Sequence, residues 1–191
     1  MKRALLAGAV IAASLFTFAD AVAADSGVGP IVVYGRGPAQ DCYVAAANDR
    51  HSRGAISVCS LALNHDFLTR ADRTATLVNR GVLLMRRGLD ERALFDFDDA
   101  AALSPEFSEA HVMRGIALVQ LGRYPEAIDT LTRAIAMHPD RPERAYFYRG
   151  AAYEEVGNAH GAYADYQQAS TLAPEWRSPT TELARFQVRR H

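Results

Sequence analysis

The chain has almost no lysine, few cysteines and no excess of either charge. Lys2 is its single lysine, and the other basic side chains are arginines and histidines, from which we draw no function. Lysine and arginine together number 21, against 22 aspartates and glutamates. A balanced charge offers no basic patch to nucleic acid or to an anionic membrane surface. The composition therefore predicts no nucleic-acid partner.

Cysteine is limited to Cys42 and Cys59. In an exported protein a lone pair is most simply a disulfide, here closing a loop of about 17 residues. A redox or metal site is the alternative, but the chain has no Cys-x-x-Cys spacing and no histidine pair nearby. The sequence thus predicts a structural disulfide between Cys42 and Cys59.

Long apolar runs are absent except at the N-terminus. Lys2 and Arg3 precede an uncharged apolar stretch over residues 4–19, and small residues follow at Ala23 and Ala24. This is the pattern of an export signal, which we predict over residues 1–23. The first cysteine comes too late for a lipoprotein anchor. We expect a mature chain without a membrane span, in the periplasm of a Gram-negative cell or, alternatively, secreted.

Signatures of catalysis and of cofactor binding are missing as well. The histidines form no i, i+4 pair, no Gly-x-Ser-x-Gly elbow occurs, and the glycine pairs near the N-terminus lack a phosphate-binding context. Asp96, Asp98 and Asp99 form an acidic cluster, which a metal could use but which more simply predicts a solvated helix face. We expect no cofactor, no metal and no enzymatic activity, although scattered catalytic groups remain the alternative.

The first part of the mature chain is unlike the rest. Residues 24–40 are rich in glycine and proline and predict a flexible arm. Within it, residues 31–34 (Ile-Val-Val-Tyr) could add a strand to a sheet edge of another protein, although a plain arm is the favoured interpretation. Residues 41–73 have an irregular helical pattern and predict a degenerate capping hairpin whose two helices the disulfide joins.

The main feature of the chain is a sequence repeat that occurs three times. Successive copies are 34 and then 35 residues apart, over residues 74–107, 108–141 and 143–176. The copies share two glycines, two alanines and a closing proline (Gly81, Gly115, Gly150; Gly88, Gly122, Gly157; Ala93, Ala127, Ala162; Ala100, Ala134, Ala169; Pro105, Pro139, Pro174). A repeat of this length predicts an all-α solenoid of stacked helical hairpins. A capping helix is predicted over residues 178–191.

The shared residues have a packing reason. A glycine inside a helix costs about 1 kcal/mol relative to alanine, which is tolerable where another element must approach closely. Larger residues at one repeated position of the second helix (Phe97, Leu131, Tyr166) are expected to fill the remaining space. The second glycine of each copy is expected to end the first helix in a left-handed conformation.

The length and the shared positions resemble the tetratricopeptide repeat family over residues 74–176. The family's aromatic-rich opening is only partly present, with Leu77, His111 and Tyr146 at its fourth position. The resemblance implies a right-handed superhelix whose inner surface, lined by the first helix of each unit, binds peptides or protein segments. It implies no enzymatic activity.

The resemblance also places a trough on that inner surface. We expect the trough to be apolar with a few charges, and we assign to it twelve residues (Val78, Asn79, Val82, Met85, Glu109, Val112, Ile116, Val119, Arg144, Phe147, Ala151, Glu154). Chaperone-binding members of the family hold a terminal carboxylate with lysines and asparagines. Here Asn79 is present, but valines at 78 and 82 and Met113 leave that clamp largely absent.

Two interpretations of the trough follow. In the first, the chain is a periplasmic scaffold or adaptor, with a place in cell-envelope assembly. The protein or peptide partner would contact apolar anchors at Val78, Val112, Ile116 and Phe147, with Arg144 and Glu154 setting its orientation. In the second, the chain is a self-associating structural module, a homo-oligomer or a closed monomer, and the trough is filled by the arm, the capping hairpin or a second copy.

Overall fold

The protein is described by a computed structural model over residues 37–48, 53–64 and 68–186. The predicted signal peptide and most of the predicted arm lie outside these residues. Regular structure in the described ranges is entirely helical, and the helices are α1 (Pro38–Asn48), α2 (Arg53–Leu63), α3 (Arg70–Met85), α4 (Asp90–Leu103), α5 (Ser108–Gln120), α6 (Tyr124–Ala136), α7 (Pro142–Glu155), α8 (Ala159–Leu172) and α9 (Arg177–Leu183).

The helices stack as successive hairpins. Each odd-numbered helix from α1 to α7 packs against the even-numbered helix that follows it, and each even-numbered helix packs against the next hairpin. The first helices also contact one another, α1 with α3, α3 with α5 and α5 with α7. The predicted all-α solenoid is confirmed: it has two layers, first helices in one and second helices in the other.

The turn inside each repeat depends on a glycine with a left-handed backbone. Gly88, Gly122 and Gly157 have φ angles of 67, 71 and 80°. The next amide reaches back over the helix end, as when Arg123 N donates to Leu118 O at 2.9 Å. This arrangement satisfies carbonyls that the helix end leaves open, and it requires the glycine conformation that the sequence predicted.

The other repeated glycine leaves a notch in the first helix, because it has no side chain there. A large side chain of the second helix packs into this notch. A Cβ placed on Gly81 would collide with the ring of Phe97, and one on Gly115 would collide with Leu131. Phe97 and Leu131 have no exposed surface. The predicted packing of a large side chain against a bare helix backbone is therefore confirmed, and it determines how closely the two layers approach.

An arginine directly before each of these glycines ties the two layers together. Arg80 donates two hydrogen bonds to Asp96, at 2.8 and 2.7 Å, and Arg149 pairs in the same way with Asp165. In the middle repeat Thr130 takes the place of the aspartate and accepts from Arg114 at 2.8 Å. These charge-assisted contacts repeat at the spacing of the hairpins.

The predicted acidic cluster is only partly a solvated face. Asp98 and Asp99 are exposed, as expected, but Asp96 is buried at 4% exposure, because Arg80 reaches it from α3. Asp98 accepts from Arg114 at 2.5 Å. The prediction that all three aspartates face solvent is therefore wrong for Asp96.

The N-terminal hairpin follows the prediction in outline and departs from it in its limits. The sulfurs of Cys42 and Cys59 lie 2.09 Å apart, so a disulfide joins α1 to α2 as the sequence indicated. Helix α1 already begins at Pro38, inside the range assigned to the arm. Helix α3 begins at Arg70, before the predicted start of the first repeat, because the Thr69 side chain accepts from the amide of Asp72 and caps it.

The C-terminal helix is shorter than predicted. Helix α9 ends at Leu183, and two turn residues lead to Phe186. The ring of Phe186 packs edge-on against Tyr163 and Tyr166 of α8, with centroids 5.8 and 6.1 Å apart. Packing of this aromatic residue, rather than a longer helix, covers the end of the stack.

Candidate functional site

The twelve residues assigned to the trough all lie on the first helices of the three repeats, four each on α3, α5 and α7. The apolar members belong to a single hydrophobic cluster that runs through the repeats. The fold therefore brings the predicted residues together on neighbouring helices.

Nearly all of the residues assigned to the trough are buried within this chain. Eleven of the twelve residues are buried, and Glu154 alone is partly exposed. Val78, Val82, Val112 and Ile116 have no exposed surface at all. Apolar surface of several hundred square ångströms is seldom left in contact with water, which gives the physical reason.

A buried ion pair crosses the trough between α5 and α7. Arg144 Nη2 donates to Glu109 Oε1 at 2.6 Å, and the two side chains are 3% and 9% exposed. Loss of hydration is the main influence on both groups: it raises the pKa of Glu109 and lowers the pKa of Arg144. Because Glu109 and Arg144 are paired with each other, neither is an isolated charge in an apolar environment.

The hydrogen-bonding capacity of Arg144 is not used up by this pair. Within the described part of the chain, Arg144 Nε and Nη1 are buried and have no hydrogen-bond acceptor. A buried donor without a partner costs about 1–3 kcal/mol. The trough therefore contains two donor nitrogens of Arg144 that acceptor oxygens brought by a bound segment could satisfy.

Aromatic rings close the trough at its C-terminal end. The ring of Phe147 lies 4.7 Å from Trp176, 5.3 Å from Tyr148 and 5.5 Å from Tyr166, measured between centroids. The sequence prediction included Phe147 but missed Tyr148 and Trp176. The only tryptophan of the chain, which is the last residue of the third repeat, was the available signal.

Glu154 contacts two side chains near the C-terminal end of the chain. Its carboxylate accepts from the Tyr166 hydroxyl at 3.1 Å and from Arg185 Nη2 at 2.8 Å. Both donors come from the C-terminal end of the same chain. Burial, with the nearby Glu154 charge, raises the pKa of Tyr166 well above its ordinary value. In this structure Glu154 therefore links α7 to the C-terminal end of the stack.

Neither a metal cluster nor a membrane helix occurs in the ranges that the structure describes. No group of three or more histidine, cysteine, aspartate or glutamate side chains in residues 37–48, 53–64 and 68–186 could hold a metal ion. No helix in the same ranges is long and apolar enough to cross a membrane.

Comparison with known proteins identifies the repeat. A tetratricopeptide repeat family model matches residues 87–148. The chain contains a tetratricopeptide repeat region. Human tetratricopeptide repeat protein 13 is 32% identical to it over 106 residues, which make up 53% of this chain and 12% of that protein. The tetratricopeptide repeat region is thus shared with a much longer relative.

Solved tetratricopeptide repeat structures share the fold. The crystal structure of MamA superposes with a TM-score of 0.62 at 23% identity, covering 79% of this chain and 82% of MamA. The second such domain of human RPAP3, solved in complex with an HSP70 peptide, gives a TM-score of 0.56 at 23% identity, covering 61% of this chain and 96% of that domain. At these identities the likeness shows the fold alone.

Proposed function

We propose that this chain is an exported scaffold or adaptor of the bacterial periplasm that binds an extended protein or peptide segment in its trough. The trough carries the proposal, because the first helices of three repeats bring apolar side chains and a buried ion pair together in one continuous cluster. The pattern of residues 1–23 supports export, and a place in cell-envelope assembly follows from that location.

The chemistry of the trough suits recognition of a main chain between apolar side chains. Val78, Val112, Ile116 and Phe147 would contact the apolar side chains of a bound segment, and Arg144 would donate to its carbonyl oxygens. Pairing Nε and Nη1 of Arg144 with acceptors removes a desolvation cost and so favours the bound state. An extended segment with alternating apolar residues fits this pattern.

The RPAP3 domain shows that this fold can hold a peptide. In our chain Val78, Val82 and Met113 are apolar and fully buried. A partner with an apolar segment therefore suits this trough better than one recognised by charge.

A stable replacement of the ion pair gives a direct test. Exchanging both charges for methionine (Glu109→Met with Arg144→Met) removes the donors, and such apolar replacements of buried pairs are often neutral or stabilising. Peptides would be selected from a displayed random library on the unaltered chain, and their affinities measured by calorimetry. We expect about tenfold weaker binding by the double variant, equal to about 1.4 kcal/mol.

Phe95→Ala supplies the matched control, because Phe95 lies on α4 and is 70% exposed. Binding by this variant should equal that of the unaltered chain. A library that selects no peptide, or peptides that bind the double variant unchanged while circular dichroism shows an intact fold, would contradict a binding trough. Sequencing of the N-terminus after expression in a Gram-negative host tests export, with a start at Ala24 or Asp25 expected.

Burial of the trough favours a second candidate, a structural module whose trough its own chain or a second copy fills. Sedimentation velocity over a wide concentration range distinguishes the cases. A monomer at every concentration argues against self-association, whereas a concentration-dependent dimer that disappears in the Glu109→Met, Arg144→Met variant favours it.

A further inference from the structure

Arg144 is the only basic side chain among the twelve residues assigned to the trough, and its charge is already balanced. Arg144 Nη2 donates to Glu109 Oε1 at 2.6 Å, and the two side chains are 3% and 9% exposed. A bound group therefore meets a neutral pair rather than a single positive charge. An anion placed beside Arg144 would also lie close to the carboxylate of Glu109.

The charged groups around the pair do not make this part of the trough positive. Burial raises the pKa of Glu109, an effect that the charges of Arg144 and Arg141 oppose. Asp140 acts in the same direction as burial. Arg141 itself donates to Glu143 at 3.1 Å. The three carboxylates here outnumber the two guanidinium groups, so the surroundings do not attract a further anion.

The helix ends beside the pair do not attract an anion either. Glu109 lies in the first turn of α5, and Glu143 lies in the first turn of α7. The N-terminus of a helix carries a partial positive charge, which an acidic side chain in the first turn offsets. The N-termini of both helices are therefore already compensated by side chains of this chain.

The pair leaves donors for which uncharged oxygens are the suitable acceptors. Arg144 Nε and Nη1 are buried and have no hydrogen-bond partner within the described part of the chain, whereas Nη2 is held by Glu109. A carbonyl or side-chain amide oxygen can accept from these nitrogens without bringing a charge into the trough. An ionised carboxylate would lose its hydration there and would be repelled by Glu109, which costs more than one hydrogen bond returns.

We propose that Glu109 determines the specificity of the trough, because it makes Arg144 select uncharged acceptors and reject carboxylates. The ligand is then an internal, uncharged stretch of a protein with a carbonyl or amide oxygen opposite Arg144, and neither an acidic motif nor a C-terminus. The inference rests on the binding role proposed for the trough, and it adds the chemical class of the ligand. Selectivity comes from a repulsive group, the Glu109 carboxylate, as well as from the unpartnered donors.

Two small probes test the selectivity of Arg144 in the full chain. The nitrogen–proton NMR signal of Arg144 Nε is identified by its loss in the Glu109→Met, Arg144→Met variant. This signal is followed while the unaltered chain is titrated with N-methylacetamide or with sodium acetate. Sodium chloride at equal ionic strength is the control for salt effects. We expect a saturable shift with N-methylacetamide, and with acetate no shift beyond that caused by chloride.

Glu109→Gln should reverse this preference. Glutamine has nearly the same shape as glutamate but no charge, so Arg144 loses its counter-ion. The variant should bind acetate at least about tenfold more tightly than the unaltered chain does, because the like charge beside the site is gone. Glu91→Gln is the matched control, because Glu91 is an exposed residue of α4, in the second layer, and should leave both titrations unchanged. Circular dichroism checks that each variant is folded.

Three outcomes would overturn the proposal. Acetate that binds the unaltered chain as tightly as N-methylacetamide does would show that Arg144 accepts anions. A signal that neither probe shifts would show that the donors of Arg144 select no acceptor. Unchanged acetate binding in a folded Glu109→Gln variant would show that Glu109 sets no preference. If this variant does not fold, the titrations of the unaltered chain decide alone.

Peptides selected on the unaltered chain separate this inference from the proposed function. Each position of a selected peptide is changed in turn to glutamine and to glutamate. We expect one position where glutamine is tolerated, where glutamate weakens binding at least about tenfold, and where Glu109→Gln in the protein restores most of the loss. Peptides that bind but have no such position contradict the selectivity and leave the binding function standing. Selection of no peptide, with both titrations as expected, contradicts the binding function and leaves the selectivity of Arg144 standing.

Discussion

The N-terminal hairpin and the middle repeat solve the same packing problem in two ways. Cys59 follows Ala55 by four residues, as Leu131 follows Ala127, so the two residues have equivalent places on the second helix. Leu131 packs into a notch made by a glycine of α5, whereas Cys59 is bonded to Cys42 of α1. One hairpin is held by side-chain volume and the other by a covalent bond.

The difference shows what a terminal unit of a solenoid lacks. The cluster inside the N-terminal hairpin consists of cysteines and alanines, with Leu83 contributed by α3. Small side chains bury little apolar surface, and burial is worth roughly 25 cal/mol per Å². A disulfide acts instead mainly on the unfolded chain, whose entropy it reduces. The N-terminal hairpin thus gains stability from its cross-link, whereas a repeat gains stability from the packing of large side chains.

The largest effect should come from emptying the notch in the middle repeat. Leu131→Ala removes a side chain with no exposed surface, and we expect the free energy of unfolding to fall by about 2–5 kcal/mol. Urea denaturation followed by circular dichroism measures it. Leu61→Ala is the control, because Leu61 on α2 is 71% exposed and should change stability by less than about 0.5 kcal/mol. Equal effects of the two substitutions would show that the notch contributes nothing special.

Removing the disulfide should have the next largest effect, and one confined to the hairpin. Cys42→Ala with Cys59→Ala releases a loop with a sequence separation of 17 residues, which predicts a loss of about 3 kcal/mol. Hydrogen exchange should accelerate in α1 and α2 while α5 and α6 keep their protection, because a solenoid can open at one end. Acceleration spread evenly over all helices would mean that the hairpin is no separate unit.

The repeated part of the fold could be predicted from the sequence because its signals are backbone constraints. Position 88 requires glycine because its backbone is left-handed, and position 81 requires glycine because Phe97 packs against the bare backbone there. Each of these glycines therefore has one geometric explanation. The start of α3 was missed because it depends on a side-chain cap at Thr69, which lies before the first residue of the repeat pattern.

The site was predicted less well, because burial depends on neighbours that are distant in sequence. The resemblance placed Val112 and Arg144 on adjacent first helices, and in the structure they lie on α5 and α7. It could not indicate how deeply the trough residues are buried, that Arg185 reaches Glu154, or that Trp176 packs on Phe147. Contacts of this kind arise from the stacking angle and from the chain ends, where the repeat pattern provides no information.

Overpacking the middle repeat should have a smaller effect than emptying it. Ala127 has no exposed surface, and Ala127→Leu should lower the free energy of unfolding by about 1–3 kcal/mol, since α5 and α6 must move apart. The same substitution at Ala136, an exposed residue of α6, is the matched control and should be nearly neutral. Thermal and urea unfolding of both variants would check this, and a neutral Ala127→Leu would show that the repeat is loosely packed.

The smallest effect tests whether volume can replace the covalent bond. With Cys42→Ala in both chains, Cys59→Leu should be more stable than Cys59→Ala by about 1 kcal/mol, because leucine fills space between α1 and α2 that the sulfurs occupied. The gain should stay below the loss of about 3 kcal/mol, since α1 has no glycine between Pro38 and Asn48 to form a notch. Urea denaturation under reducing conditions compares the two variants. A leucine that restores the full stability would mean that packing and cross-linking are interchangeable here, whereas a leucine that destabilises would show that the helices lie too close together for a repeat-like core.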